Sequence, residues 1–160
     1  LYETTQELTA AAGLPAYEIC NHARPGQESL PTLVYWRYGD YAGVGPGAHG
    51  RLSLNGARTA TAAIKLPERW RDTVGRQGHG LAERTPVSKE EAAREHLLMN
   101  LRLAEGLDLA AYERRWGTRP DAAKIAALTG QGLLMQYGDI LRTTPAGRLL
   151  LNRVIEELLN

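Results

Sequence analysis

Cysteine is nearly missing from this chain. The 160 residues contain one, Cys20, which excludes an internal disulfide and any all-cysteine metal or iron–sulfur site built by this chain alone. Net charge is nearly missing too: 19 Lys and Arg stand against 18 Asp and Glu, a formal charge of +1. No preference for nucleic acid or an anionic membrane is therefore written into the total. No apolar run is long enough to span a bilayer and no signal peptide opens the sequence, so the cytoplasm is the expected compartment. At this length the chain holds one full domain, or one small domain plus part of another. It begins at Leu1, inside what reads as a helix, and the expectation is a piece of a longer protein.

Glycine, by contrast, is concentrated in one place, Gly43-Val44-Gly45-Pro46-Gly47-Ala48-His49-Gly50. Without Cβ atoms the backbone there can turn sharply or come close to a ligand or a second strand. No Lys-Ser or Lys-Thr follows, so the stretch is not a phosphate loop. The pattern G-x-G-x-x-G fits from Gly45 through Gly47 and Gly50, but no amphipathic helix follows Gly50 and the dinucleotide reading lacks its context. Spacing alone points to a strand–loop–strand corner.

In order along the chain, residues 1–12 read as an amphipathic helix that Gly13 closes and Pro15 keeps from resuming. Residues 17–21 read as a short strand, with Cys20 a buried, inert thiol and Glu18 facing either a barrel interior or solvent. Residues 27–42 read as a connection, but one rich in large side chains, among them Leu30, Leu33, Tyr35, Trp36 and Tyr38. Such rings have much apolar area to bury, so this is a packed or ligand-facing segment. Asn55-Gly56 between alternating runs predicts a hairpin of residues 51–55 and 58–64. Pro67 opens a helix, and clustered turn formers place a domain boundary at 78–87. Ser88 and Glu91 form a capping box for the clearest helix of the chain, and Asp108 and Asp121 cap two shorter ones. A strand pair around Tyr137-Gly138-Asp139 and a closing helix from Thr144-Pro145 follow.

The expected class is α+β: an α/β-layer portion, then a mostly helical, winged-helix-like domain. The would-be recognition helix, 121–129, carries one Lys and one Asp, too little to neutralise several phosphates. A non-catalytic winged-helix module binding protein or nucleic acid is the alternative to the reading that follows.

Three stretches carry a likeness to a known family: Tyr17-Glu18-Ile19-Cys20-Asn21-His22-Ala23-Arg24-Pro25-Gly26, Tyr35-Trp36-Arg37-Tyr38-Gly39-Asp40-Tyr41, and the glycine-rich segment. They resemble the oxygen-independent coproporphyrinogen III oxidase-like radical SAM proteins, above all the haem chaperone branch. Glu95-His96-Leu97-Leu98-Met99-Asn100-Leu101-Arg102 and the run from Leu141 through Thr144-Pro145-Ala146-Gly147-Arg148 to Asn152 resemble that family's C-terminal domain. The likeness covers essentially the whole chain. It implies a parent with a partial α/β barrel that holds a [4Fe–4S] cluster and S-adenosylmethionine, followed by a helical domain. Residues 1–77 would be the last part of the barrel domain with a connecting hairpin and helix, and residues 88–160 the C-terminal domain. The cluster cysteines would lie upstream of Leu1, so this chain alone is expected to be inactive.

By the same resemblance, Gly43, Gly45, Gly47, Ala48 and His49 would lie near S-adenosylmethionine or the tetrapyrrole. Tyr35 and Trp36 would offer flat faces to substrate or haem. No catalytic residue and no metal ligand is assigned, and no pair of histidines has ligand spacing. The chaperone branch carries His-Asn-x-x-Tyr-Trp before the glycines; here Pro31 and Thr32 hold the first two positions, and proline has no imidazole to offer iron. Arg69, Arg71, Arg76 and Arg84 are either a propionate-binding cluster or a solvated face. The implied partners are a tetrapyrrole (haem or coproporphyrinogen) and a haem-accepting client, without nucleic acid. A dimer through an exposed barrel edge is also expected. Two activities compete: an oxidase that decarboxylates propionates, and a chaperone that binds haem and passes it on.

Overall fold

The computed structural model describes residues 1–160, and no helix in it is long and apolar enough to cross a membrane. In chain order the first elements are α1 (Tyr2–Ala11), α2 (Leu30–Trp36), β1 (His49–Leu54), β2 (Ala57–Ala63), α3 (Pro67–Gln77), β3 (Leu81–Val87) and α4 (Lys89–Asn100). They are followed by β4 (Leu107–Asp108), α5 (Leu109–Trp116), α6 (Ala122–Gly130), β5 (Leu134–Tyr137), β6 (Ile140–Thr143), α7 (Pro145–Leu149) and α8 (Leu151–Leu159). Helices and strands mix as expected, and the strands form two open three-stranded sheets rather than a closed barrel. Two compact units result: Gly39–Ala92, and Leu1–Tyr38 together with Ala93–Asn160.

In the unit Gly39–Ala92 the hairpin signal holds. Leu54 pairs with Ala57, and Asn55 and Gly56 both have positive φ, 53° and 78°. Positive φ at both central positions is the turn whose twist matches the flanking strands. A third strand, β3, occupies most of 78–87, where clustered turn formers suggest a domain boundary. The turn chemistry ends at Gly80, and from Leu81 the chain pairs antiparallel with β2. Pro86 is tolerated because β3 lies at the sheet edge and pairs on one side only.

The loop before the glycines is tied to this hairpin by Asp40. Its carboxylate accepts from the Ser53 amide (2.8 Å), the Ser53 hydroxyl (2.9 Å) and Arg58 Nη1 (2.8 Å), while Arg58 Nη2 donates to the Gly39 carbonyl (3.0 Å). Burial by itself would raise the carboxyl pKa. The two Ser53 hydrogen bonds and the Arg58 charge outweigh it and hold the pKa below its ordinary value. A carboxylate with a depressed folded pKa adds stability above its unfolded pKa, about 3.9, and loses it as pH falls through the folded value. Asp40→Asn therefore costs stability at pH 7 and the gap from wild type closes toward pH 3. The carboxylate is partly exposed, so the gap is about 1 kcal/mol or less. Urea midpoints at the two pH values check this; a gap that stays constant overturns it.

Short polar side chains start the helices as expected in both units. Ser88 and Glu91, at the start of α4, bond reciprocally, Ser88 Oγ accepting from the Glu91 amide (3.1 Å) and Glu91 Oε2 from the Ser88 amide (3.0 Å). Asp108 accepts from the Ala111 amide (2.9 Å) and Asp121 from the Ala123 amide (2.8 Å). The core beneath is leucine-rich: Leu97, Leu101, Leu107, Leu134, Leu141 and Val154 are fully buried. The sheet of the unit Leu1–Tyr38 with Ala93–Asn160 runs β4-β6-β5, so the strand pair expected around Tyr137-Gly138-Asp139 gains a third, two-residue strand. The closing helix breaks at Leu150 into α7 and α8.

Two expectations fail here. Residues 17–21 form a tight loop, not a strand: the buried Glu18 carboxylate accepts from the amide of Cys20 (3.0 Å) and from that of Asn21, and the loop closes through the Tyr17 amide and the Asn21 carbonyl (3.1 Å). A nearby side-chain acceptor thus replaces a strand partner. Cys20 is in consequence exposed rather than buried. Within 27–42, residues Leu30–Trp36 are helical instead of loop-like, with Pro31 in the first turn, where its missing N–H costs nothing.

Candidate functional site

The glycine-rich segment belongs to the unit Gly39–Ala92, and its glycines have backbone reasons to be there. A Cβ on Gly43 would overlap the His49 carbonyl, and one on Gly50 would press on Thr61 Oγ1 and the Gly43 nitrogen. Residues 43 and 49–50 thus pass in backbone contact, secured alongside by paired hydrogen bonds between Tyr41 and Arg51 (2.8 and 2.9 Å). Gly45 and Gly47 hold φ of 106° and 72°, which other residues rarely adopt. The Gly47 amide donates to the Ile64 carbonyl (2.9 Å) and the Ala48 carbonyl accepts from the Ala63 amide (2.8 Å). The corner is held in place by this pairing. His49 stands exposed on β1 opposite Ala62. The Arg69, Arg71, Arg76 and Arg84 side chains of this unit are solvent-exposed, and Arg71 pairs with its neighbour Asp72 (3.0 Å).

Tyr35 and Trp36 belong to the other unit, at the C-terminal end of α2. Their rings meet edge to face, with centroids 5.0 Å apart at 70°. The Asn100 side-chain amide donates to the Trp36 carbonyl (2.8 Å), and the Arg102 guanidinium lies 5.7 Å from the Trp36 ring centroid. Arg102 Nη1 donates to the Leu98 carbonyl (2.5 Å), continuing from the end of α4. Burial lowers the Arg102 pKa, but an arginine starts so high that it stays charged at neutral pH. Trp36 and Arg102 share a groove of about 520 Å³ with Cys20, Arg148, Leu149 and Leu150. That volume is in the range of small-molecule sites, roughly 300–1,000 Å³. Leu149 and Leu150 expose about half their surface, 52% and 49%, so the groove has an apolar rim.

Sequence reasoning singled out Trp36 but missed Arg102 and Arg148. Both lie inside motifs noted there, yet only the fold shows that the α4 end and α7 meet at one groove. His96, the one buried histidine, is a packing residue. Its Nδ1 accepts from Trp116 Nε1 (2.8 Å) and its ring stacks on Tyr38 at 5.4 Å and 13°. No three His, Cys, Asp or Glu side chains converge to hold a metal ion.

Residues 87–150 match the HemN C-terminal domain. Over 99% of its length the chain is 33% identical to the heme chaperone HemW of Mycobacterium tuberculosis, covering 38% of that protein. Over all of its length it is 32% identical to the mitochondrial radical S-adenosyl methionine domain-containing protein 1 of Bos taurus, again 38% of the relative. HemW of Escherichia coli is 29% identical over 98% of the chain, which covers 41% of it. The chain thus spans about two fifths of the length of the curated relatives it matches. Among solved structures, the coproporphyrinogen III oxidase HemN of Escherichia coli, described as a radical SAM enzyme, shares the fold. The TM-score is 0.71 at 19% identity, over 98% of this chain and 39% of that one. Residues 87–150 thus correspond to the HemN C-terminal domain, and from end to end the chain is similar to the matching two fifths of HemW heme chaperones.

Proposed function

We propose that this chain contributes the tetrapyrrole-handling part of a radical SAM protein of haem metabolism, acting as a haem chaperone. In this reading residues 1–77 complete the barrel domain, and residues 88–160, with the β5–β6 pair as a wing, are the winged-helix-like domain that covers the site. The observation that carries it is Trp36, set beside Arg102 in a groove with an apolar rim. It has the flat face and the positive charge that a porphyrin with its propionates needs. Similarity to proteins named heme chaperones supports the same choice.

The [4Fe–4S] cluster does not fit this chain, which has one cysteine and no converging ligand set. Cluster chemistry belongs to other parts of such a protein. For S-adenosylmethionine we carry forward Gly43, Gly45, Gly47, Ala48 and His49. Open space where a Cβ of Gly45 would point leaves backbone bare on that side. For haem, Pro31 starts α2, and Thr32 Oγ1 donates to Ser29 Oγ (2.9 Å), so the first half of the His-Asn-x-x-Tyr-Trp motif is used for helix geometry here. Tyr35 and Trp36 supply faces, not ligands. We further propose a cytoplasmic location, a haem-accepting client, and self-association over the exposed Leu8, Leu30 and Val34 of α1 and α2. A duplex-binding module is disfavoured because α6 carries Lys124 as its one basic side chain.

The test uses the complete gene product, purified without oxygen and reconstituted with iron and sulfide. Haem capture with coproporphyrinogen left intact is the expected result. Decarboxylation of coproporphyrinogen would instead make the protein an oxidase, and neither outcome would remove tetrapyrrole handling altogether.

A further inference from the structure

We propose that Arg102 and Arg148 form a carboxylate clamp, so that the Trp36 groove selects a planar apolar molecule bearing carboxylates over the same plate without them. This rests on the tetrapyrrole reading above and names two residues that would set its specificity. Arg102 lies in the turn just after α4 and Arg148 in α7, and both line the same groove. Neither has a carboxylate partner: Arg102 bonds the Leu98 carbonyl through Nη1 alone, and the Arg148 side chain makes no hydrogen bond or ion pair. Arg102 is half-buried, and a cation withdrawn from water without a counter-charge is costly until an anion joins it.

No carboxylate of the protein forms an ion pair with Arg102 or Arg148. Glu18 is the one acidic residue in the lining, and its Oε1 is taken by the Cys20 and Asn21 amides. Arg153, also in the lining, is paired with Glu157 at 3.4 Å. The adjoining cavity, about 420 Å³, shares Arg148 and Leu149 but carries Glu3 and Glu7, which repel an anion and favour the Trp36 side. An inorganic anion would satisfy the arginines and leave Trp36, Leu149 and Leu150 uncovered. A charged plate satisfies both.

The probe is protoporphyrin IX against its dimethyl ester, metal-free so that iron ligation plays no part. Each is titrated into the full chain and followed by porphyrin fluorescence. The diacid is expected to bind about tenfold more tightly than the ester, since a charge-assisted hydrogen bond to a carboxylate is lost in the ester. Its affinity also falls as salt rises, while that of the ester does not. Arg148→Gln, which removes no hydrogen bond of the fold, weakens the diacid roughly threefold to tenfold and leaves the ester unchanged. Arg102→Gln does the same, with circular dichroism checking its fold; Trp36→Ala weakens both ligands. If diacid and ester bind alike and Arg148→Gln changes neither, the clamp is wrong while the tetrapyrrole reading stands. If neither porphyrin binds, both ideas fall.

Discussion

Replacing Gly147 by alanine lowers the stability of the protein by about 3 kcal/mol, the upper end of what overpacking costs. Gly147 is buried in α7, and a Cβ there would run into the carbonyl oxygen of Leu133, with the Leu133 carbonyl carbon 2.9 Å and its Cα 3.2 Å away. These are backbone atoms, which cannot swing aside as a side-chain end would. The carbonyl is also held by the Thr144 amide (3.1 Å), and Thr144 Oγ1 accepts from the Gly147 amide (2.9 Å) while donating to the Gly132 carbonyl (2.6 Å). Relief requires α7 to move away from Leu133, and the helix takes Arg148 with it. The variant should therefore also lose affinity for protoporphyrin IX. Gly75→Ala is the contrast: Gly75 lies within α3 with nothing near its Cβ direction, so alanine there stabilises by about 0.5–1 kcal/mol. Urea denaturation of the two variants decides the matter. A Gly147→Ala protein as stable as wild type would mean that α7 does not approach Leu133 this closely.

Local chemistry was the legible part of this fold. Asn55-Gly56, the Ser88–Glu91 box and the Asp108 and Asp121 caps act within a few residues, and all form as the sequence indicates. Misreadings arose where one side chain reassigns backbone partners. A strand-like run at 17–21 becomes a loop because Glu18 folds back on the amides after it. Thr144, Pro145 and Gly147 look like ordinary helix-start residues, and nothing local says that Gly147 must meet Leu133 across the turn. Turn formers before β3 suggest a boundary because edge pairing with β2 is a long-range fact that local residues do not carry. The candidate site divides the same way. Trp36 stands out by residue type, whereas Arg102 and Arg148 are separated by a short strand, two helices and the β5–β6 pair, and periodicity carries no information on their sharing a groove.

Leu141→Ala is expected to cost about 2–5 kcal/mol, because it removes a large side chain from the centre of a core that cannot collapse around the gap. Leu141 is fully buried on β6, the middle strand of its sheet, opposite Leu107 on one side and Gln136 on the other. It belongs to the same buried cluster as Leu97, Leu101, Leu134 and Val154, drawn from α4, the residue after it, β5 and α8. Both neighbouring strands fix its backbone, so the sheet cannot shift to fill the cavity, and the penalty stays near the upper half of that range. Leu149→Ala separates core from site. Leu149 is 52% exposed and lines the groove, so its loss changes stability by about 0.5 kcal/mol or less while weakening protoporphyrin IX and its dimethyl ester alike. Measured side by side, the two substitutions should give opposite profiles: a lowered urea midpoint for Leu141→Ala, and a nearly unchanged midpoint with weaker porphyrin binding for Leu149→Ala. Equal midpoints would contradict the burial assigned to Leu141. Unchanged binding in Leu149→Ala would place the tetrapyrrole somewhere other than the groove beside Trp36.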